Sequence, residues 1–70
     1  MSIMVYKMKF LPKGVYKRSQ YVHDYFINRY PKVNINSLKL SDSYYMFFPR
    51  KISNAKIKVV LRLSGIHNYL

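Results

Sequence analysis

Lys56-Ile57-Lys58-Val59-Val60-Leu61-Arg62-Leu63 is the stretch whose reading decides the fold. With a period of two, Ile57, Val59, Leu61 and Leu63 share an unbroken apolar face. Lys56, Lys58 and Arg62 lie opposite, and only Val60 interrupts them. That alternation predicts a strand with one buried and one cationic side. Gly65 ends it, and residues 66–70 form a short tail.

Working outward, the other end of the chain repeats the pattern. Between Ile3 and Phe10, Met4, Tyr6, Met8 and Phe10 fall on one face, with Lys7 and Lys9 on the other. Leu11-Pro12-Lys13-Gly14 closes this strand, because proline cannot donate to a ladder and glycine accepts turn geometry. From Lys17 to Arg29 the period changes. Val22, Tyr25, Phe26 and Tyr30 follow helical spacing, Ser19 is the candidate N-cap, and Pro31 stops the helix near Arg29 or Tyr30.

Val33 and Ile35 then read as a short strand. Leu38 and Leu40 have the opposite parity, which calls for a bulge or irregular turn near Asn36-Ser37. Ser41-Asp42-Ser43 is a turn signal. Tyr44 to Phe48 is apolar on both faces and breaks at Pro49, before the basic loop Arg50-Lys51-Ile52-Ser53-Asn54. The expected architecture is α+β: one small domain over residues 1–70, ordered β-α-β-β-β, with one amphipathic helix on a small mixed sheet.

The charge is lopsided. The 70 residues include 13 Lys and Arg but only 2 acids, Asp24 and Asp42, for a formal net charge of +11. Half of the residues are nevertheless hydrophobic, with eight Tyr and four Phe, which a disordered basic tail does not carry. A folded module this cationic calls for a dense polyanion, with nucleic acid the leading class. A domain this short buries only about 60% of its unfolded surface, so a charge-neutralising partner would also stabilise it. With no cysteine, disulfides and thiolate metal sites are excluded.

Other classes fit poorly. The longest apolar run, Tyr44 to Phe48, is far short of the ~18 residues of a membrane span. Cationic membrane-surface binders favour helices, whereas these cations are expected on strands and loops. The first 18 residues hold five cations and no acid, but their period of two, Pro12 and Gly14 do not suit a transit peptide. Two His, two Asp and two Gly leave little for acid–base chemistry, metal ligation or a phosphate-cradling loop. His23 and Asp24 are neighbours, and i and i+1 do not face each other on a helix. No enzyme activity, metal, cofactor or small-molecule substrate is expected.

The candidate RNA-binding residues are therefore cations. Lys7 and Lys9 on the first strand, with Lys56, Lys58 and Arg62 on the last, would form one stripe across an exposed sheet face if the strands are adjacent. Lys13, Lys17, Arg18, Arg29, Arg50 and Lys51 would extend it through the helix ends and loops. Such a stripe suits phosphate contacts, which give affinity without reading bases. Tyr6, Tyr25 and Tyr30 fall on apolar faces. Tyr44 or Tyr45 either packs in the core or stacks on an unpaired base.

In order and spacing of elements, the chain resembles the archaeal and eukaryotic large-subunit ribosomal protein family "L thirty-one e". Val5-Tyr6-Lys7-Met8-Lys9-Phe10 matches its opening strand, Lys17-Arg18 its basic pair before the helix, and Val33-Asn34-Ile35 its second strand. Tyr44 to Phe48 takes the place of its tryptophan segment, with Met46 or Phe47 where the tryptophan stands. Lys56-Ile57-Lys58-Val59 and Arg62-Leu63-Ser64 match its last strand. The resemblance runs from about Met4 to Ser64. It implies a structural constituent of the large ribosomal subunit in the cytoplasm, bound to ribosomal RNA beside other ribosomal proteins near the nascent-chain exit. In that setting the named cations would bridge RNA phosphates. The alternative is a small viral or plasmid-borne regulator that binds nucleic acid through the same cations.

Overall fold

The computed structural model describes residues 3–10 and 13–70. Strand β1 (Ile3–Lys9) is the one its alternation predicts, with Tyr6 and Met8 buried and Ile3, Val5 and Lys9 exposed. The Leu11-Pro12 part of the expected turn lies outside the described residues. Helix α1 (Val15–Arg29) begins earlier than its tyrosines suggest. Its buried stripe is Val15, Ser19, Val22 and Phe26, so Ser19 is a core residue rather than the N-cap, and Gly14 at φ 95° takes the cap position. Tyr25, expected in the core, is 40% exposed. The helix ends at Tyr30, as Pro31 requires.

Strand β2 is Asn36–Leu40, and β3 is Ser43–Pro49. Val33 and Ile35 precede β2 instead of forming a strand of their own. Ile35 is buried as an anchor, and the parity change at Asn36-Ser37 marks where the strand begins. Ser41 turns the chain at φ 56°, and Leu40 pairs with Ser43 across that tight turn. Being apolar on both sides, β3 lies at the centre of an antiparallel sheet ordered β1-β3-β2. β1 and β2 both run against β3 and are therefore parallel to each other. The α1 crossover between them must pass over the central strand, which covers one face of the sheet.

The last element corrects the sequence reading. Residues Asn54–Leu63 form a helix, α2, so the order is β-α-β-β-α and the sheet among the described residues is antiparallel rather than mixed. The α+β class itself holds. Ile57, Val60 and Leu61 are the buried residues of α2, at i, i+3 and i+4 spacing. Val60, which breaks the alternation of charge, is thus part of the helical stripe. Val59 and Leu63, expected in the core, are 49% and 82% exposed.

Local signals at both ends support the helix. The Ser53 hydroxyl accepts from the Lys56 N–H at 3.1 Å, a conventional N-cap. At the other end Gly65 sits at φ 84°, its N–H donating to the Arg62 carbonyl and the Ile66 N–H to the Leu61 carbonyl. That is the Schellman arrangement, and its hydrophobic clasp is present because Leu61 and Ile66 are both buried. A strand offers no use for this combination of cap, glycine and clasp.

The core is one cluster that joins Tyr6 and Met8 from β1, Tyr44, Met46 and Phe48 from β3, the α1 and α2 stripes, Ile52 and Ile66. Phe48 meets Tyr6 and Phe26 edge-on, with ring centroids 5.7 and 5.0 Å away. Such edge-to-face pairs add about 0.5–1.5 kcal/mol each beyond area burial.

Candidate nucleic-acid interface

Strand parity sorts the side chains into two sheet faces. On the face away from the core, β1 places Ile3, Val5, Lys7 and Lys9, β3 places Ser43 (buried between its neighbours), Tyr45, Phe47 and Pro49, and β2 places Asn36, Leu38 and Leu40. Lys7 lies directly across from Tyr45. Its own N–H and C=O bond to Leu70 in the tail, at 3.1 and 3.0 Å. The Lys7–Tyr45 pair is consequently a non-hydrogen-bonded one, in which side chains approach most closely. The Lys7 ammonium lies 5.7 Å from the Tyr45 ring centroid, within cation–π range.

The tail after α2 runs along the outer edge of β1. Ile66 pins it in the core, Tyr69 sets its ring 5.7 Å from that of Tyr6, and Leu70 bridges to Lys7. Two open grooves adjoin it. One, of about 520 Å³, is lined by Met4, Val5, Tyr6, Arg50, Asn54, Lys58 and the tail. The other, of about 400 Å³, is lined by Lys7, Lys9, His67, Asn68 and the tail. Lys7, Lys9, Arg50 and Lys58 therefore converge on the β1 edge from a strand, a loop and a helix. His67, Asn54 and Asn68 join them without having been singled out from sequence. Only a tail folded back onto β1 brings His67 and Asn68 there, whereas Asn54 arrives at the start of α2.

The single expected stripe does not form, because its second half is helical. At 100° per residue, Lys56, Lys58 and Arg62 no longer share a side with Lys7 and Lys9. Lys58 reaches the groove, Lys56 is half-buried, and Arg62 is exposed in the last turn of α2. Lys17 lies on the outer side of α1 with Gln20, Tyr21 and Asp24. Lys13 is exposed just before α1, Arg29 in its last turn, and Lys51 in the loop after β3.

Arg18 has a different role. Its side chain fills the space that a Cβ on Gly14 or Gly65 would occupy, with its Nη1 at 2.7 Å from the first position and its Cδ at 3.2 Å from the second. Its Nε is buried without a hydrogen-bond partner. Arg18 thus spans from the start of α1 to the end of α2. Neither helix has an acid in its first turn, so nothing on those turns competes with a bound anion.

The histidine beside Asp24 is structural. The His23 Nε2 lies 3.2 Å from the Ile35 carbonyl, which only accepts, so the hydrogen is assigned to Nε2. The Nδ1 then accepts from the Ser37 hydroxyl at 3.4 Å, and Ser37 in turn accepts from the Tyr44 hydroxyl at 2.9 Å. Both ring nitrogens are used in fastening α1 to β2 and β3. Tyr44 is therefore core, and Tyr45 alone of that pair is on the uncovered face.

Lys39 points to the covered side, over the rings of Phe10 and Tyr16 at 5.9 and 5.3 Å. Among the described residues there is no group of three or more His, Cys, Asp or Glu that could hold a metal ion, and no helix long and apolar enough to cross a membrane. No protein-family model, curated protein or solved structure matches this chain.

Proposed function

We propose that this protein binds RNA by neutralising its phosphates and serves as a structural constituent of the large ribosomal subunit. The observation that carries the RNA reading is the charge of +11 on a folded core, with Lys7, Lys9, Arg50 and Lys58 gathered along one strand edge. Two acids cannot pair with thirteen cations. An isolated domain of this size would carry that repulsion uncompensated, whereas a polyanion offsets it and releases its own counterions.

The ribosomal part rests on the resemblance. Its matches to the first strand and the central apolar segment fall on β1 and β3, whereas the basic pair Lys17-Arg18, matched to residues before the helix, lies inside α1, and Val33-Asn34-Ile35, matched to the second strand, precedes β2. The match at Lys56–Ser64 falls on α2 and its C-cap instead of a strand. Ribosomal RNA is the polyanion this resemblance favours.

Sedimentation of tagged protein through a sucrose gradient tests the assignment. The chain should travel with large ribosomal subunits and remain there through a moderate-salt wash. Recovery only in free or polymerase-bound fractions would remove the ribosomal assignment and favour the regulator. Independently, isolated RNA binding should weaken steeply with salt, log K falling about 0.7–0.9 per phosphate neutralised against log salt. A flat response would overturn phosphate binding altogether.

A further inference from the structure

We infer that the uncovered sheet face is a platform for the unpaired bases of single-stranded RNA, with the β1 edge holding the phosphates. This deepens the RNA-binding reading and rests on it. The face is strongly apolar for one with no cover: Ile3, Val5, Leu38 and Leu40 are all close to half exposed or more. Tyr45 and Phe47 lie between them, half-buried, two residues apart on the central strand and hence on the same side. A continuous apolar face of this kind marks a site of contact.

Charge selects the occupant. A second copy would bring +11 against +11, a repulsion that opposes pairing through this face. A single RNA strand matches both halves of the surface, because its bases are flat and apolar on their faces while its backbone is anionic. Lys7 and Lys9 stand on the β1 side of the platform, where that backbone would run. The Lys7 ammonium already lies 5.7 Å from the Tyr45 ring centroid, so a base that stacks on this ring takes its place and leaves the cation free for the phosphates.

Stacking on aromatic side chains accepts any base, since each base has a π face. A duplex keeps its bases stacked inside and offers this face only phosphates and sugars. The platform therefore distinguishes single strands from duplexes, which phosphate neutralisation alone does not.

The test compares a single-stranded RNA of about ten nucleotides with a duplex of about 16 base pairs by fluorescence anisotropy. Tyr45→Leu combined with Phe47→Leu keeps the face apolar but removes the rings. It should weaken single-strand binding about tenfold or more and leave duplex binding and the salt slope unchanged. Lys7→Gln with Lys9→Gln should instead lower the slope for both RNAs, by about 0.7–0.9 for each phosphate that is no longer neutralised. In the unaltered protein, the Tyr45 ring protons should shift upfield when the single strand binds, a readout that needs no variant.

Undiminished single-strand affinity in the leucine variant, or equal losses on both RNAs, would overturn the platform while steep salt dependence preserved the RNA reading. Failure of both RNAs to bind with any salt dependence would instead overturn the RNA reading itself. Dimerisation through this face in RNA-free protein, seen by sedimentation equilibrium, would replace RNA with a second copy as its occupant.

Discussion

Phe47 and Phe48 are the same side chain, one residue apart on the same strand, and they meet opposite surroundings. Phe48 is fully buried against Tyr6 and Phe26, under the helices. Phe47 stands half-buried on the uncovered face, across from Val5 and Asn36. The difference arises because α1 must cross β3 to join two parallel strands, and α2 then packs beside α1. Every apolar residue of the other parity is left without cover. The central strand is hydrophobic on both sides, but the fold satisfies only one of them.

The sharpest way to break this comparison is to truncate each ring. Phe48→Ala should cost about 3–5 kcal/mol, enough to unfold a domain this small. Phe47→Ala should cost about 1 kcal/mol or less, because little packing rests on it. Urea melts of both variants measure the contrast. Similar costs would mean that the second face is also covered in the isolated protein. Such a result would leave the platform without access to RNA.

A second pair of substitutions tests the helical state of residues 54–63, the element that packs beside α1 on the covered side. In the strand read from the alternation, Val60→Lys would complete the cationic side at no cost and Leu63→Lys would damage the core. In α2 the order is reversed. Val60 faces the core, so a lysine there should cost about 2–3 kcal/mol even if its long stem lets the ammonium reach solvent. Leu63 is 82% exposed, and its replacement should be close to neutral. Thermal melts of the two variants would show which side of this segment is buried.

That segment also shows how far sequence can be read. An alternating run of eight residues satisfies a strand, but its buried positions at 57, 60 and 61 satisfy a helix equally well. Tertiary packing decides between them. The Ser53 cap and the Leu61, Gly65 and Ile66 clasp are the local signals that favour the helix. In β1 the alternation agrees with the fold, although Met4, Val5 and Met8 also share helical spacing, because pairing with β3 decides for the strand.

The site was legible in part for the same reason. Lys7 and Lys9 followed from parity alone. Arg50 and Lys58 were named as cations, but their meeting with β1 depends on where α2 begins and on the tail doubling back. Tyr45 could not be separated from Tyr44 until the register assigned one to the His23–Ser37 network and the other to the open face.

The smallest expected effect lies on the covered face. Tyr6 is 5% exposed, and its hydroxyl is buried with no hydrogen-bond partner among the described residues. Burial raises its pKa above the usual phenol value, and the nearby Tyr69 adds to the rise. A group whose folded pKa is raised contributes stability below its unfolded value, about 10 for tyrosine, and loses it as pH climbs toward the folded value. Tyr6→Phe removes both the orphaned hydroxyl and this proton linkage. At neutral pH the variant should match the parent or exceed it by up to about 1 kcal/mol, since no bond is lost and a desolvation cost is relieved. Above about pH 10 its advantage should widen, because the parent must keep a phenol protonated that the unfolded chain would ionise. Urea melts at neutral and alkaline pH measure both parts. A loss at neutral pH would mean that the hydroxyl has a partner, and the covered face would then be more polar than its packing indicates.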